Sequence, residues 1–387
     1  MNIESIQKED CTGCMACVSA CPNSCVNILE DSEGFLYPSV QNEKCSQCGK
    51  CFRSCPAVKD VRTEVLQCYA VTAQDVKVIE KSSSGGVFFF LAKYVIEQLQ
   101  GYVCGAVLTE DMEVRHIIAD NMEQVQKMQG SKYIQSNIMG CYEEIKRLCK
   151  QNRIVLFTGT PCQVAGVRAL MKNEKNLLTV DLICHGVPNV SSFKKYFKRR
   201  YGDSKLISFR YKNPYEISTF AYTIEKHSGK MKRIRASGDP FYQAFMDGYS
   251  YRESCYRCQY ASPKRVGDIT IGDCGNRKAY ISMHGKAIST VLINNSTGDY
   301  LWKAIRSNFY SEKADFEQEI KLNHQLREPV SRPGIREEFY QDLIELDLKK
   351  LKQKYCRNLG IKQKLKRFII MHVSASFRWK LKIWLSK

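Results

Sequence analysis

Two runs of cysteine carry the first recognisable chemistry. Cys11, Cys14, Cys17 and Cys21 are followed by Pro22, and Cys45, Cys48, Cys51 and Cys55 by Pro56; both runs read C-x2-C-x2-C-x3-C-P, offset by 34 residues. This is the spacing with which bacterial ferredoxins hold two 4Fe-4S cubanes. Two-residue gaps let three thiolates of one loop converge on a cubane. The fourth cysteine, expected to begin a short helix leading away, reaches the other cluster. The pattern assigns Cys11, Cys14, Cys17 and Cys55 to one cluster, and Cys45, Cys48, Cys51 and Cys21 to the second. Zinc knuckles are the bland alternative, disfavoured by a four-cysteine run with proline given twice. Cys25 reads as a small core residue.

A third set is scattered. RIVLFTGTPCQVAGVRALM reads as a strand over 154–158 entering a helix at about Cys162, and NLLTVDLICHGVP as a strand over 177–183. A strand–helix–strand crossover makes the strands parallel. Cys162 and Cys184 then both fall just past the carboxyl ends of strands, the edge where open α/β sheets place ligands. Cys255-x2-Cys258 supplies two more thiols, so Cys162, Cys184, Cys255 and Cys258 are expected to hold a third cubane. Two other readings stay open: Cys162 as a reactive thiol at a helix amino terminus, and the four together as a zinc site. Cys274 is a fifth candidate able to displace one of the four. His185 reads as a hydrogen-bonding neighbour of Cys184. Cys68, Cys104, Cys141, Cys149 and Cys356 lack paired spacing and read as packing residues.

Two loops could receive a phosphate. In KSSSGGVFFFLAKYVIEQLQG, Ser84, Gly85 and Gly86 precede about fifteen helix-compatible residues, with Gly101 placed as a terminating cap. Such a loop offers backbone N–H groups and the positive end of a helix dipole, although capping alone also explains it. Gly130, Ser131, Lys132 and Tyr133 supply a cation and an aromatic face in a second loop, which reads equally as a turn with a solvated lysine.

The elements around these residues divide the 387-residue chain into several units. Residues 1–60 form the two-cluster module, with VNIL and FLYPSV flanking an acidic turn at Gly34 as a hairpin. A short charged linker, 57–64, leads to a body of two parts, 66–150 and 151–335, and a helical basic tail, 336–387. With 44% hydrophobic and 26% charged residues the chain is globular. Its longest apolar run, 87–92, is far too short to span a bilayer, and MNIESIQKED lacks the features of an export signal. Clustered cysteines in such a chain indicate metal rather than disulfides, and a cytoplasmic location is expected. The net charge of +19 is mostly local: residues 349–387 hold 13 Lys and Arg and no Asp or Glu, leaving only +6 on the rest. A specific nucleic-acid partner is therefore not expected.

GTPCQ, ICHGVP, SFRYK, Cys255-x2-Cys258 and DITIGD, in that order, resemble the beta subunit family of coenzyme F420 hydrogenases and dehydrogenases. SSSGG and GSKYIQS resemble two further blocks of that family. The resemblance spans roughly 69–333, with the ferredoxin repeat fused in front. One departure is Cys274-Gly275, where the family has an aromatic pair after Gly272-Asp273. The resemblance implies a fold of α+β and α/β parts: a two-cluster ferredoxin module fused to a mixed α/β body that binds flavin and a cluster. It also implies bound FAD, with Ser84, Gly85, Gly86, Ser131, Lys132 and Tyr133 as its contacts. It does not fix the substrate, because relatives including a reductase of a chlorophyll intermediate share the scaffold.

Cubanes pass single electrons, whereas a flavin holds one or two. The expected function is an iron–sulfur flavoprotein oxidoreductase that links a ferredoxin or similar carrier to an unidentified small-molecule substrate. Lys132, Arg210, Lys212 and Asp273 are candidates to tune the flavin. The alternatives are a non-catalytic electron-transfer subunit feeding a partner enzyme and a cluster-based redox sensor. The tail stands outside the resemblance. Residues 361–387 mix Lys and Arg with Phe368, Phe377, Trp379 and Trp384, which suits either an anionic membrane surface at the inner face or docking on the body.

Overall fold

The computed structural model describes residues 1–172, 174–210, 220–283 and 287–356, with Gly360, Leu365 and Phe377. Apart from those last residues the basic tail over 361–387 lies outside the described residues, as does Lys212. Among the described residues no helix is long and apolar enough to cross a membrane.

The cysteine repeat is also a repeat of conformation. Gly13 (φ 66°) and Met15 (φ 63°) turn left-handed in the first loop, and Gln47 (φ 51°) and Gly49 (φ 68°) do so at the matching positions of the second. Each loop thus places glycine at one left-handed site and a larger residue at the other. Short helices follow, Ala16–Ser19 and Lys50–Arg53. Cys17 and Cys51 sit inside these helices, while Cys21 and Cys55 come after them. The fourth cysteines therefore follow a helix instead of beginning one; Cys21 leads into a turn at 22–23, and Cys55 caps the short 3-10 turn Pro56–Val58. The expected hairpin is present as β1 (Val26–Glu30) and β2 (Leu36–Val40). Asp31 closes its turn by accepting hydrogen bonds from the amides of Glu33, Gly34 and Phe35.

The body contains β3 (Gln67–Ala73), β4 (Tyr102–Leu108), β5 (Val114–Ala119), β6 (Val155–Gly159), β7 (Leu177–Leu182), β8 (Lys205–Ser208), β9 (Ala221–Glu225), β10 (Met231–Arg235), β11 (Ile269–Asp273), β12 (Ser289–Ile293) and β13 (Phe309–Lys313). Eight form one mixed sheet in the order β13-β3-β12-β11-β7-β6-β4-β5. Its centre, β4, β6, β7 and β11, is parallel, and antiparallel strands flank it on both sides. All five residues of β6 are buried, as a parallel strand covered on both faces requires. One face packs helices Val87–Glu97 and Ser296–Ile305 through Leu91, Val95, Leu301 and Trp302. The other packs helices Cys141–Lys150 and Pro161–Met171, and here Cys14, Met15 and Ala16 of the ferredoxin module join the same apolar cluster.

A separate aromatic cluster lies under the three-stranded sheet β10-β9-β8. Phe193, Phe209, Tyr222, Phe241 and Phe339 fill it, and helices Arg336–Glu345 and Leu348–Tyr355 close it through Phe339, Tyr340 and Tyr355. The ferredoxin hairpin inserts Phe35 against Tyr340, and buried Arg336 grips Glu33 with two bonds of 2.7 Å.

Glycines mark close approaches. The helix after Gly86 ends at Glu97, and the left-handed residue beyond it is Gln100 (φ 48°), so Gly101 is not the expected cap. Gly101 is small because a β-carbon there would lie 2.7 Å from the Ile154 carbonyl oxygen. At Gly85 a β-carbon would lie 2.5 Å from the Val71 carbonyl oxygen and 2.9 Å from the Ser289 nitrogen, both backbone atoms that cannot swing away. Gly85→Ala should therefore lower the unfolding free energy by about 2 kcal/mol, seen as a reduced denaturant midpoint; an unchanged midpoint would contradict this packing.

Candidate functional site

The eight repeat cysteines border two hollows. Cys11, Cys14, Cys17 and Cys55 line one, of about 350 Å³. Cys21, Cys45, Cys48 and Cys51 line the other, together with Cys25. Burial pushes the Cys14 thiol up to about 12 and Cys55 to about 11, and raises Cys17 further. Neighbouring thiols add to each shift, and a cation sharing the hollow reverses such a penalty. Cys25 does more than fill a core: its sulfur lies 3.3 Å from Cys21 Sγ.

The four scattered cysteines also converge. Thr160 caps helix Pro161–Met171 in a capping box with Gln163, with Pro161 in the first turn, so GTPCQ sets Cys162 at the helix amino terminus. Thr160 Oγ1 lies 3.2 Å from Cys162 Sγ. Cys184 follows β7, and Cys255 lies in the turn Glu253–Arg257, just before Cys258. Burial pushes Cys162 and Cys184 up to about 12 and raises Cys255 and Cys258; Cys162, Cys184 and Cys255 are raised further by other thiols of this group. Arg265 ties the two halves together. Its guanidinium lies 2.7 Å from Asp181 on β7 and donates to the carbonyls of Leu182, Tyr260 and Ser262. The expected linker is tied down here too, since Arg62 donates to the Gln259 carbonyl and Thr63 bridges Arg265.

Cys274 stands elsewhere. It is buried among Ala70, Tyr280, Met283 and Ile288 with its thiol toward Glu319, so it does not take the place of one of the four.

A cavity of about 330 Å³ adjoins this group. Its wall includes Cys162, Cys184 and His185, and also Ser84, Gly86, Ser131, Lys132 and Tyr133. The two candidate loops are thus neighbours, joined where the Ser131 amide donates to Ser83 Oγ at 2.6 Å. Gly85 is not in the wall; it is wedged between strands, its amide donating to Ser289 Oγ. Gly86 (φ 91°) begins helix Val87–Glu97 without a side-chain cap, so first-turn amides remain for a ligand. Arg210 and Asp273, 2.7 Å apart, meet at the same cavity, where Arg210 also donates to Tyr133 Oη. Tyr133 packs among Phe209, Phe220, Tyr242 and Phe245.

Lys132 is not a solvated surface group. Its ammonium donates to the carbonyls of Met128 (2.6 Å) and Gln129 (3.1 Å), at the end of helix Met122–Met128. Part of the side chain stays accessible, yet burial pushes it down to about 7. His116, absent from the sequence candidates, lines the cavity as well. Its Nε2 donates to the Thr158 carbonyl at 2.9 Å and its ring stacks on Phe157. Burial holds it neutral, pushing it down to about 4, and its Nδ1 has no partner among the described residues. Only the alternation of VRHIIA along β5 could have turned it inward on paper.

Residues 152–319 match the family described as the C terminus of the coenzyme F420 hydrogenase/dehydrogenase beta subunit, and residues 10–58 match the 4Fe-4S dicluster domain. The chain is thus similar to the first family over its second half and to the second over its amino-terminal module. An uncharacterized protein of Methanocaldococcus jannaschii is 24% identical over 270 residues, 65% of this chain and 68% of that protein. A chain of the F420-reducing [NiFe] hydrogenase complex from Methanosarcina barkeri superposes with a TM-score of 0.48 at 17% identity, covering 76% of this chain and 92% of that one. Cys162, Cys184, Cys255 and Cys258 lie inside the 152–319 match. Ser84, Gly86 and Lys132 lie outside both matched segments.

The shifted Lys132 makes a signed prediction. The folded chain releases this proton at about pH 7, whereas the unfolded chain holds it to 10.5. Between those values the unfolded state binds more protons, so the contribution of Lys132 to stability rises with pH. Unfolding measured across that window should show the parent gaining on Lys132→Met as pH increases. A constant difference would show that the ammonium is not buried.

Proposed function

We propose that this chain is an iron–sulfur flavoprotein oxidoreductase. The ferredoxin cysteines would hold clusters that accept single electrons, Cys162, Cys184, Cys255 and Cys258 would hold a third, and the two loops would hold the FAD that supplies two-electron chemistry. The observation that carries this reading is one of adjacency. The wall holding Cys162 and Cys184 also holds both phosphate-compatible loops, and one helical turn from Cys162, Gly166 touches Cys14 of the ferredoxin module.

The residues fit the groups they would hold. Each cubane needs four thiolates around a hollow, and the assignment is Cys11, Cys14, Cys17 and Cys55; Cys21, Cys45, Cys48 and Cys51; and Cys162, Cys184, Cys255 and Cys258. When bound, the clusters supply one-electron transfer and the flavin supplies the conversion to two-electron chemistry.

The chain's own part is to bind and orient. First-turn amides of helix Val87–Glu97, beside Ser84 and Ser131, would receive phosphate oxygens of FAD. Lys132 contributes a cation below about pH 7. Tyr133 offers an aromatic wall held rigid by its ring neighbours. The Arg210–Asp273 pair fixes charge at the substrate end, beside His185. The electron donor is a ferredoxin-like carrier and the acceptor a small molecule.

The description of the matched family as a beta subunit favours a second reading, a relay that feeds a partner enzyme. A relay is reoxidised only by a protein, an enzyme by a small molecule.

Anaerobic reconstitution should give about 12 iron and about 12 sulfide per chain, four of each per cubane, with FAD released by acid. Cys258→Ser should lose about a third of the iron and keep the ferredoxin signals. Iron near two-thirds of that total in the parent, or unchanged in Cys258→Ser, would remove the third cluster. Full clusters without flavin would remove the oxidoreductase reading.

A further inference from the structure

Arg252 is a fully buried guanidinium, and among the described residues no Asp or Glu forms an ion pair with it. The other deeply buried arginines differ: Arg265 is paired with Asp181, and Arg336 with Glu33 and Glu253. An unpaired buried cation is costly unless something else carries the opposite charge. What faces Arg252 is the first cysteine loop. Its Nε donates to the Cys11 carbonyl at 2.7 Å and one Nη donates to Cys11 Sγ at 3.6 Å. The fork is held by the Leu36 carbonyl at 2.8 Å and Gln135 Oε1 at 3.3 Å, and its Cζ lies 4.1 Å from the centre of the Tyr37 ring.

The loop is shaped to admit it. A β-carbon at Gly13 would stand 2.8 Å from Arg252 Nη1 and 2.9 Å from its Cζ, so the missing side chain is the space the guanidinium uses. Arg252 is also tied to the third site, since its carbonyl accepts the Cys255 amide at 2.9 Å, and its charge reaches Cys162.

We propose that Arg252 is a positioning residue that raises the reduction potential of the cluster held by Cys11, Cys14, Cys17 and Cys55, selecting that cluster as the exit from the ferredoxin module. This rests on the cluster reading above. One-electron reduction takes an electron from the carrier and adds one negative charge to the cluster and its thiolates. A hydrogen bond to a ligand sulfur and a fixed cation both stabilise the more negative form. Burial leaves the cation weakly screened, and the planar fork of arginine, unlike the ammonium of lysine, reaches the Cys11, Leu36 and Gln135 acceptors at once. The electron then leaves for the third site, whose Cys162 lies one helical turn from Gly166 and hence beside Cys14. Among the described residues the cysteines of the second cluster face no buried guanidinium: the Arg53 guanidinium near them is exposed and donates to the Cys48 carbonyl.

The test is the midpoint potential of each cluster, followed by EPR on the full-length reconstituted protein. Iron and sulfide are measured on the same samples. In Arg252→Gln one ferredoxin midpoint should fall furthest, the third cluster's less, and the other ferredoxin midpoint should stay in place. Unchanged midpoints, or all three shifting equally, would overturn the proposal while leaving the clusters assigned. A parent without cluster iron would instead remove the reading on which it rests. If Arg252→Gln does not fold, Arg252→Lys decides: a lower midpoint confined to one ferredoxin cluster supports the role, and an unaltered set contradicts it. In the unmodified protein carrying isotopically labelled arginine, pulsed EPR of the first reduced cluster should detect one coupled arginine nitrogen, and its absence would contradict the contact.

Discussion

Gly166 lies on the second turn of helix Pro161–Met171, and a β-carbon there would stand 3.1 Å from the Cys14 sulfur and 3.0 Å from the Tyr142 hydroxyl. No side chain larger than hydrogen fits without moving a cysteine of the first hollow. Four residues separate Gly166 from Cys162, about 6 Å along a helix. The first ferredoxin site and the third cysteine group are therefore spaced by a rigid element, not a linker. Tyr142 reinforces the contact by donating to the Cys14 carbonyl at 2.5 Å. Everything proposed about electron flow depends on this approach of two units that are far apart in sequence.

The module is locked in register at three further points. Gln135 donates to the Thr12 carbonyl, Arg252 to the Cys11 carbonyl, and Arg336 holds Glu33 at the hairpin tip. Arg252 and Arg336 are fully buried, where removing one partner costs far more than the pair contributes. The sheet performs the same service for the third group. β6 and β7 end side by side, Gly159 opposite Asp181, and the buried Arg265–Asp181 pair draws the loop after Cys258 onto that edge. The parallel centre of the sheet thus sets Cys162 and Cys184, while two arginines set Cys255 and Cys258.

Much of this was legible in the chain itself, because the chemistry was local. A thiol repeat with two-residue gaps fixes its own loop geometry, and its left-handed positions recur with the same 34-residue offset as its cysteines. GTPCQ carries a capping box and a first-turn proline, so the strand-to-helix junction at Cys162 could be read directly. The hairpin and the parallel pair β6–β7 followed from pattern alone. What escaped were consequences of long-range packing. Arg252 looks like any surface arginine until Gly13 and Cys11 fold against it. His116 has no motif, only an inward-facing register. Gly85 reads as part of a phosphate loop, yet its neighbours are backbone atoms of two strands. Cys274 resembles a ligand by type and is set apart by β11, which turns it toward Glu319.

The central claim is that electrons reach the flavin through the ferredoxin module. It is tested most directly by rapid mixing of the oxidised, fully loaded protein with a reduced one-electron carrier, watching flavin absorbance. The comparison is with Cys14→Ser, matched for flavin content. The account predicts fast flavin bleaching that lags cluster reduction in the parent and is lost in Cys14→Ser. Equal bleaching rates in the two proteins would contradict it.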